Sequence, residues 1–136
     1  MIIYKMYSDE LKDVSIADGF FDGWLNPPDK KTHRKILSNS FKSIVAIDES
    51  TNEIIGFINI ISDGVLTAYI PFLEVINDYK GQGIGNKLAK MAMEEFKDFY
   101  MIDIICDSEL VHFYEKMGMR KSNAMIIRNY ESQSGV

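Results

Sequence analysis

Val75-Ile76-Asn77-Asp78-Tyr79-Lys80-Gly81-Gln82-Gly83-Ile84-Gly85-Asn86-Lys87-Leu88 reads as the end of a strand, a glycine loop and the start of a helix. A helix N-terminus leaves its first N–H groups without partners and carries the positive end of the helix dipole. Glycines let the backbone close on an anion with no Cβ in the way. The combination predicts a phosphate cradle. The ordinary alternative is a turn that only caps a helix. Three alternating glycines between a strand and an amphipathic helix are more than a cap requires. Two familiar cradles do not match. GxxxxGK[ST] fails because Gly85 is followed by Asn86 and Lys87 by Leu88. GxGxxG fails because its third glycine would fall on Asn86 counted from Gly81, or on Leu88 counted from Gly83. What remains is [R/Q/K]-x-x-G-x-G at Lys80–Gly85.

Working outward from the loop, the preceding chain has the period of a sheet. Ser43–Asp48 and Ile54–Ser62 flank the polar turn Glu49-Ser50-Thr51-Asn52-Glu53 and predict a hairpin. Val65–Ile76 is a third run, and Pro71 within it marks an edge, a bulge or a break in the ladder. Ile2–Tyr7 reads as a short strand. Ser8–Ser40 is helical in tendency but broken by Gly19, Gly23 and Pro27-Pro28, which predicts two short helices, the second capped by Asp29. After the loop, Leu88, Met91, Ala92 and Phe96 recur at helical spacing. Met101–Cys106 reads as a strand. Leu110, Phe113, Tyr114 and Met117 share one helix face, with Gly118 as its stop. Met125–Tyr130 is predicted as a last strand. The order β-α-α-β-β-β-α-β-α-β predicts an α/β fold with a mixed, mostly antiparallel sheet flanked by helices.

Composition limits the function classes. The 136 residues are one domain's worth of chain, expected as a single unit over 1–136 with 131–136 as a frayed tail. Usage is that of a globular protein, 46% hydrophobic and 26% charged. Fifteen Lys and Arg against twenty Asp and Glu give a net charge of −5, which disfavours nucleic acid as a partner while leaving room for a small anion in a local pocket. One cysteine and two histidines cannot supply a structural metal site, so no metal is expected. The lone Cys106 has no cysteine to pair with and no evident His partner, and it reads as a small buried strand residue. No apolar run approaches the roughly 20 residues of a spanning helix, so no membrane role is expected and a cytoplasmic location is.

A second constellation follows the glycine loop: Asp107-Ser108-Glu109-Leu110-Val111-His112-Phe113-Tyr114-Glu115-Lys116-Met117-Gly118-Met119. Together with Lys80–Gly85 it resembles the GNAT superfamily of acyl-CoA N-acyltransferases. The loop matches that family's pyrophosphate signature with Lys80 in place of Gln or Arg, a cation without their fork of donors. The second stretch is similar to the family's N-x-x-A-x-x-[LF]-Y-E-K-x-G-F. Asp107, Leu110 and Met119 depart from it, while Phe113-Tyr114-Glu115-Lys116 and Gly118 match. Residues 43–130 carry the resemblance. Gly19-Phe20-Phe21-Asp22-Gly23-Trp24 looks like a bacterial subgroup of the same superfamily.

The resemblance implies a GNAT-like sheet with strands splayed at the acyl-CoA site, and acetyl transfer from acetyl-CoA to a primary amine of a small molecule or peptide by direct attack in a ternary complex. The alternatives are another acyl-CoA donor, or a non-catalytic acyl-CoA-binding sensor or interaction module. The residues implied for the cofactor are Lys80, Gly81, Gln82, Gly83, Ile84, Gly85 and Asn86 at the pyrophosphate, Leu73 and Val75 along the pantetheine, and Asp107 and Phe113 from the second motif. Tyr114 is implied as the acid at the departing thiolate, although its position on an apolar helix face also suits a core residue. Glu74 is a candidate base, with an ordinary polar strand residue as the alternative. Phe21, Trp24, Asp63 and Tyr69 are candidates for the acceptor pocket, whereas Phe20 reads as core. His33 and His112 read as solvated, as does the basic run Lys30–Lys35. The methionines at 91, 93, 117 and 119 read as core filler. A homodimer is expected, because sheet edges in such folds often pair.

Overall fold

The computed structural model describes all 136 residues. One mixed sheet organises it, with strands β1 (Ile2–Met6), β2 (Ser15–Ile16), β3 (Lys42–Asp48), β4 (Glu53–Ser62), β5 (Thr67–Val75) and β6 (Met101–Ile104). The order is β1-β3-β4-β5-β6, antiparallel except for the parallel β5–β6 pair, and β2 lies parallel to β4 off the main path. The predicted hairpin is β3–β4, and its turn is held by Asp48, whose Oδ1 accepts the Ser50 N–H at 2.9 Å.

The two faces of the sheet carry two cores, because side chains alternate along a strand. Ile44 and Ala46 of β3 face helix α2 (Ile84–Glu95) through its Leu88 and Ala92, with Phe96 at its C-cap. Val45 and Ile47 face helix α1 (Lys30–Asn39) and its Leu37. A bulge between Ala46 and Ile47 leaves Ile55 of β4 as the extra residue. α1 starts where Asp29 Oδ1 accepts the Thr32 N–H at 2.7 Å, the predicted cap. Helix α3 (Val111–Glu115) follows β6.

Two expectations are corrected. The first of the two helices predicted within Ser8–Ser40 does not form. A 3₁₀ turn at Asp9–Leu11, the short β2 and a left-handed loop take its place, with Gly19, Phe21 and Gly23 at φ of 105°, 58° and 84°. Such dihedrals cannot continue a right-handed helix. The last strand predicted at Met125–Tyr130 has no partner, and these residues lie exposed. In the tail, Tyr130–Ser132 forms a 3₁₀ turn, and Gln133 Oε1 accepts the Asn26 N–H at 3.0 Å. No helix is long and apolar enough to cross a membrane.

Candidate active site

The site is set by a fork in the sheet. β5 pairs with β6 from Thr67 to Ile70 and no further. The next residue is Pro71, which has no N–H to donate. The β4–β5 register also shifts here, since Asn59 faces Phe72 while Ile61 faces Tyr69. Asn59 repairs the ladder with its side chain, its Oδ1 accepting the Phe72 N–H at 3.1 Å. Beyond Pro71, β5 keeps β4 on one side and no strand on the other. The N–H groups of Phe72 and Ile76 point toward β4, the latter bonding Ile55 O at 3.0 Å. By the period of two, Leu73 and Val75 direct their backbone groups to the open edge. These are the two residues that the resemblance implies for the pantetheine arm.

The chain leaves β5 through a short 3₁₀ turn at Asn77–Tyr79 and enters the glycine loop. Gly81 and Gly83 have φ of 80° and 81°, and Gly83 is the N-cap of α2 with no side-chain cap. A Cβ on either glycine would meet nothing within 4 Å, so open space lies over both. From Gly81 to Asn86 no backbone N–H donates within the chain; the first α2 donor so used is Lys87 N–H, to Gly83 O at 3.0 Å. Gln82 and Lys80 are exposed beside these donors, while Ile84 is buried in the core beneath them. A run of unused donors at the start of a 12-residue helix, open above and fixed below, has the geometry to receive an anion.

Glu74 is half-buried on the face opposite Leu73 and Val75. Its Oε1 accepts the Phe21 N–H at 2.8 Å. Burial raises its pKa, while the Phe21 hydrogen bond and nearby Lys80 pull it back. Glu74 therefore anchors the left-handed loop as well as presenting a carboxylate. Asp22 makes the second tie from that loop, its Oδ2 accepting from Asn77 Nδ2 at 2.9 Å.

Tyr114 lies on α3 and is 5% exposed, with its ring edge-on to Phe113 at 4.9 Å. Burial, helped by Cys106, pushes its hydroxyl up to about 12. It lines a groove beside β6 together with Tyr69, Cys106 and Met119. Cys106 is half-exposed there rather than a buried strand residue, since β6 ends two residues earlier. Asp107 sits exposed in the turn between β6 and α3, its carbonyl accepting the Leu110 N–H at 2.9 Å.

Several acceptor-pocket expectations change. Phe21 is 2% exposed and its ring is core; its backbone N–H, not its ring, meets Glu74. Trp24 is partly exposed and stacks near Phe72 at 5.9 Å. Phe72 was not anticipated, although alternation from Glu74 places it on the same face. Asp63 is not with the others. Its Oδ1 accepts the N–H groups of Val65, Leu66 and Thr67 in the β4–β5 turn, which holds its carboxyl down to about 2. That turn is the far end of β5, on the order of 20 Å from Glu74 at the rise of a strand. Tyr69 is exposed on β5 and shares the Tyr114 groove.

Two residues assigned to solvent are inside. His33 is 2% exposed, enclosed by Phe20, Phe21 and Phe57, and its Nε2 has no hydrogen-bond partner. Burial, then the Arg34 charge, lowers its pKa to about 4. Arg34 is half-buried and donates to Tyr7 Oη at 3.1 Å and to the carbonyls of Leu11 and Val14. His112 is exposed as expected. No group of three or more His, Cys, Asp or Glu side chains is placed to hold a metal ion.

Residues 4–119 match the model of the acetyltransferase (GNAT) family. Among solved structures, a candidate acetyltransferase from Deinococcus radiodurans R1 is 38% identical, with a TM-score of 0.90 over 99% of this chain and 93% of that one. The GNAT family acetyltransferase SP0256 from Streptococcus pneumoniae TIGR4 shares the fold at 24% identity, with a TM-score of 0.68 over 95% of this chain and 98% of that one. A curated relative, the uncharacterised N-acetyltransferase ycf52 of Gracilaria tenuistipitata var. liui, is 29% identical over 71% of this chain and 54% of its own length. The ycf52 protein of Porphyra purpurea is 24% identical over 73% of this chain and 59% of its own. This chain therefore spans little more than half the length of the curated relatives it matches.

Proposed function

The chain belongs to the acetyltransferase (GNAT) family, and on that premise we propose that it transfers an acetyl group from acetyl-CoA to a primary amine of a small molecule or peptide, by direct attack in a ternary complex. The decisive observation is the run of backbone donors from Gly81 to Asn86 with no acceptor in the chain, next to the open edge of β5. These features fit the cofactor. The donors and Lys80 would hold its pyrophosphate, and the backbone of Leu73 and Val75 would align its pantetheine arm. Asp107 and Phe113, beside Tyr114, would border its thioester end. When bound, acetyl-CoA supplies an acyl group already activated as a thioester.

The remaining work falls to this chain's side chains. Glu74 accepts a proton from the amine, directly or through a water. Its burial makes it a stronger base than an exposed carboxylate. Tyr114 keeps its proton throughout the physiological range, with a pKa of about 12 against about 8.5 for a thiol. Full transfer to a thiolate is uphill, so Tyr114 acts by donating a hydrogen bond to the departing sulfur. Trp24 and Phe72, ahead of the buried Phe21, form the apolar side of the acceptor site, and Asp22 supports the loop that carries Trp24. Tyr69 flanks the Tyr114 side. A cytoplasmic setting agrees with an unpaired, half-exposed thiol.

A thermal-shift titration with acetyl-CoA, desulfo-CoA and ATP tests the cofactor site. A ligand at 100 times its Kd stabilises by about 2.7 kcal/mol, which moves the Tm of such a domain by several degrees. Both CoA compounds are expected to shift the Tm and ATP is not. No shift at saturating acetyl-CoA would overturn the proposal. An amine panel read by CoA release then identifies the acceptor class.

A further inference from the structure

The loop between β2 and α1 meets the C-terminal end of β5 and the turn after it at three points. Gly19 lies so close to Ile76 that a Cβ on it would be 3.6 Å from that side chain. The Phe21 N–H donates to Glu74 Oε1 at 2.8 Å, and Asp22 Oδ2 accepts from Asn77 Nδ2 at 2.9 Å. Phe21 makes its bond in a conformation it disfavours. Its φ of 58° is in the left-handed region, which a bulky side chain rarely adopts. Such strain persists only where the surroundings impose it. Behind Phe21, its buried ring packs against His33, Trp24, Phe57 and Phe72. In front, the next residue is fastened to Asn77. Asn77 is a fixed post. The Ile76 N–H before it donates to Ile55 O at 3.0 Å, and Tyr79 of the same turn donates to Asp48 Oδ2 at 2.5 Å. Asp22 and Asn77 are both exposed, so their bond adds only modestly to global stability. Its consequence lies in what it orients.

We propose that Asp22 is a positioning residue: by holding Asn77 it keeps the Phe21 N–H on the Glu74 carboxylate and fixes the direction in which that carboxylate points. Its weight in catalysis rests on the reading of Glu74 as the base. The Phe21 N–H occupies Oε1, which leaves Oε2 to receive the proton of an amine. A carboxylate pinned at one oxygen presents the other in one direction, whereas a free one spreads it over a broad torsion. Trp24 rides on the same turn, its N–H donating to Phe21 O at 3.1 Å, so the tie also holds the apolar wall of the acceptor site in register with the base. The charged groups that act on Glu74 are Lys80, which lowers its pKa, and Asp22 itself, which raises it. The Phe21 hydrogen bond lowers it as well. Losing the Asp22 charge and losing the Asp22 tie therefore move Glu74 in opposite directions, and substitutions can separate the two.

Amide NMR of the full chain tests the tie with no acceptor present. In the wild type the Phe21 amide shift should follow the ionisation of Glu74 as pH is varied, because an amide bonded to a carboxylate senses its charge. Glu74→Gln should abolish that titration. Asp22→Ala should abolish it too, while Asp22→Asn keeps an acceptor for Asn77 and should preserve it. Asn77→Ala removes the same tie and leaves the Asp22 charge in place, so it should match Asp22→Ala. Kinetics follow CoA release with the panel amine that the wild type acetylates fastest. Asp22→Ala and Asn77→Ala should each lower kcat by about tenfold with the acetyl-CoA KM within about twofold, and Asp22→Asn should recover most of the loss. A Phe21 amide that titrates in Asp22→Ala as it does in the wild type overturns the proposal. So does a loss in Asp22→Ala that Asn77→Ala does not reproduce, which would assign the effect to charge. The base reading fails separately, through a Glu74→Gln enzyme as fast as wild type. A slow Glu74→Gln beside a full-speed Asp22→Ala overturns the positioning role alone.

Discussion

At the scale of single residues, the proposed chemistry turns on two side chains with opposite demands. Glu74 needs its proton off and Tyr114 needs its proton on, and burial raises the pKa of both. For Tyr114 the shift to about 12 fits the proposed role of a hydrogen-bond donor to sulfur better than that of a full acid. Tyr114→Phe removes only the hydroxyl and keeps the ring against Phe113. The expected outcome is a kcat lowered by about a hundredfold, with acetyl-CoA affinity nearly unchanged and the Tm within a few degrees. Steady-state kinetics beside a binding titration check it. A variant as fast as wild type would remove Tyr114 from the mechanism and favour a role for it in packing. The motif around Tyr114 was legible in sequence because Phe113-Tyr114-Glu115-Lys116 and Gly118 stand together. The anchoring hydrogen bond from Phe21 N–H to Glu74 was not, because it joins residues 53 apart through the backbone of a left-handed turn.

At the scale of elements, the fork between β5 and β6 and the N-terminus of α2 act as a unit. Pro71 ends the parallel pairing without leaving an orphan N–H, and the glycine loop then brings the start of α2 beside the opened edge. Gly83 is held at φ 81° with open space above it. Any side chain there costs about 1–2 kcal/mol for the left-handed backbone, and a branched one also projects methyls where the pyrophosphate would sit. Gly83→Ala and Gly83→Val should therefore melt several degrees below wild type, by similar amounts. Gly83→Val alone should lose acetyl-CoA binding by about a hundredfold, since it fills the cradle. Calorimetric titration of the folded variants checks this, and tight binding by Gly83→Val would remove the cradle. The same scale explains why Asp63 left the site. A carboxylate in a tight turn is drawn to the unpaired N–H groups around it, as the three bonds to Val65, Leu66 and Thr67 attest.

For the molecule as a whole, the two cores differ in what acid does to them. The α2 side is a cluster of buried apolar residues, Phe96 among them, whereas the α1 side encloses His33 among phenylalanines. The folded pKa of His33 is lowered from 6.5 to about 4, so between these values the unfolded chain binds a proton that the folded chain refuses. Stability is therefore undiminished above about pH 6.5 and falls as pH drops toward 4, by roughly 3 kcal/mol in total. Denaturant melts from pH 7 to 4 should show this slope, and His33→Phe should flatten it. Equal slopes in the two proteins would assign the acid sensitivity elsewhere.

Local chemistry was what the sequence alone determined. Apolar runs bounded by polar turns specified β3, β4 and β5, helical spacing specified α2, Asp29 specified the start of α1, and the residues from Lys80 to Gly85 specified a glycine loop at the start of a helix. Each of these rests on neighbours within a few residues, where geometry follows directly from residue type. The tertiary structure decided the rest. It enclosed His33, spent Asp63 on a turn, made the ring of Phe21 core and added Phe72 beside Trp24. It also left Met125–Ile127 without a strand to join. These outcomes depend on which surfaces meet across the sheet. Burial and strand pairing at a distance outweigh local preference, so a polar residue is drawn inside when its helix face is needed there, and a strand-forming run stays unpaired where the fold brings no edge to it.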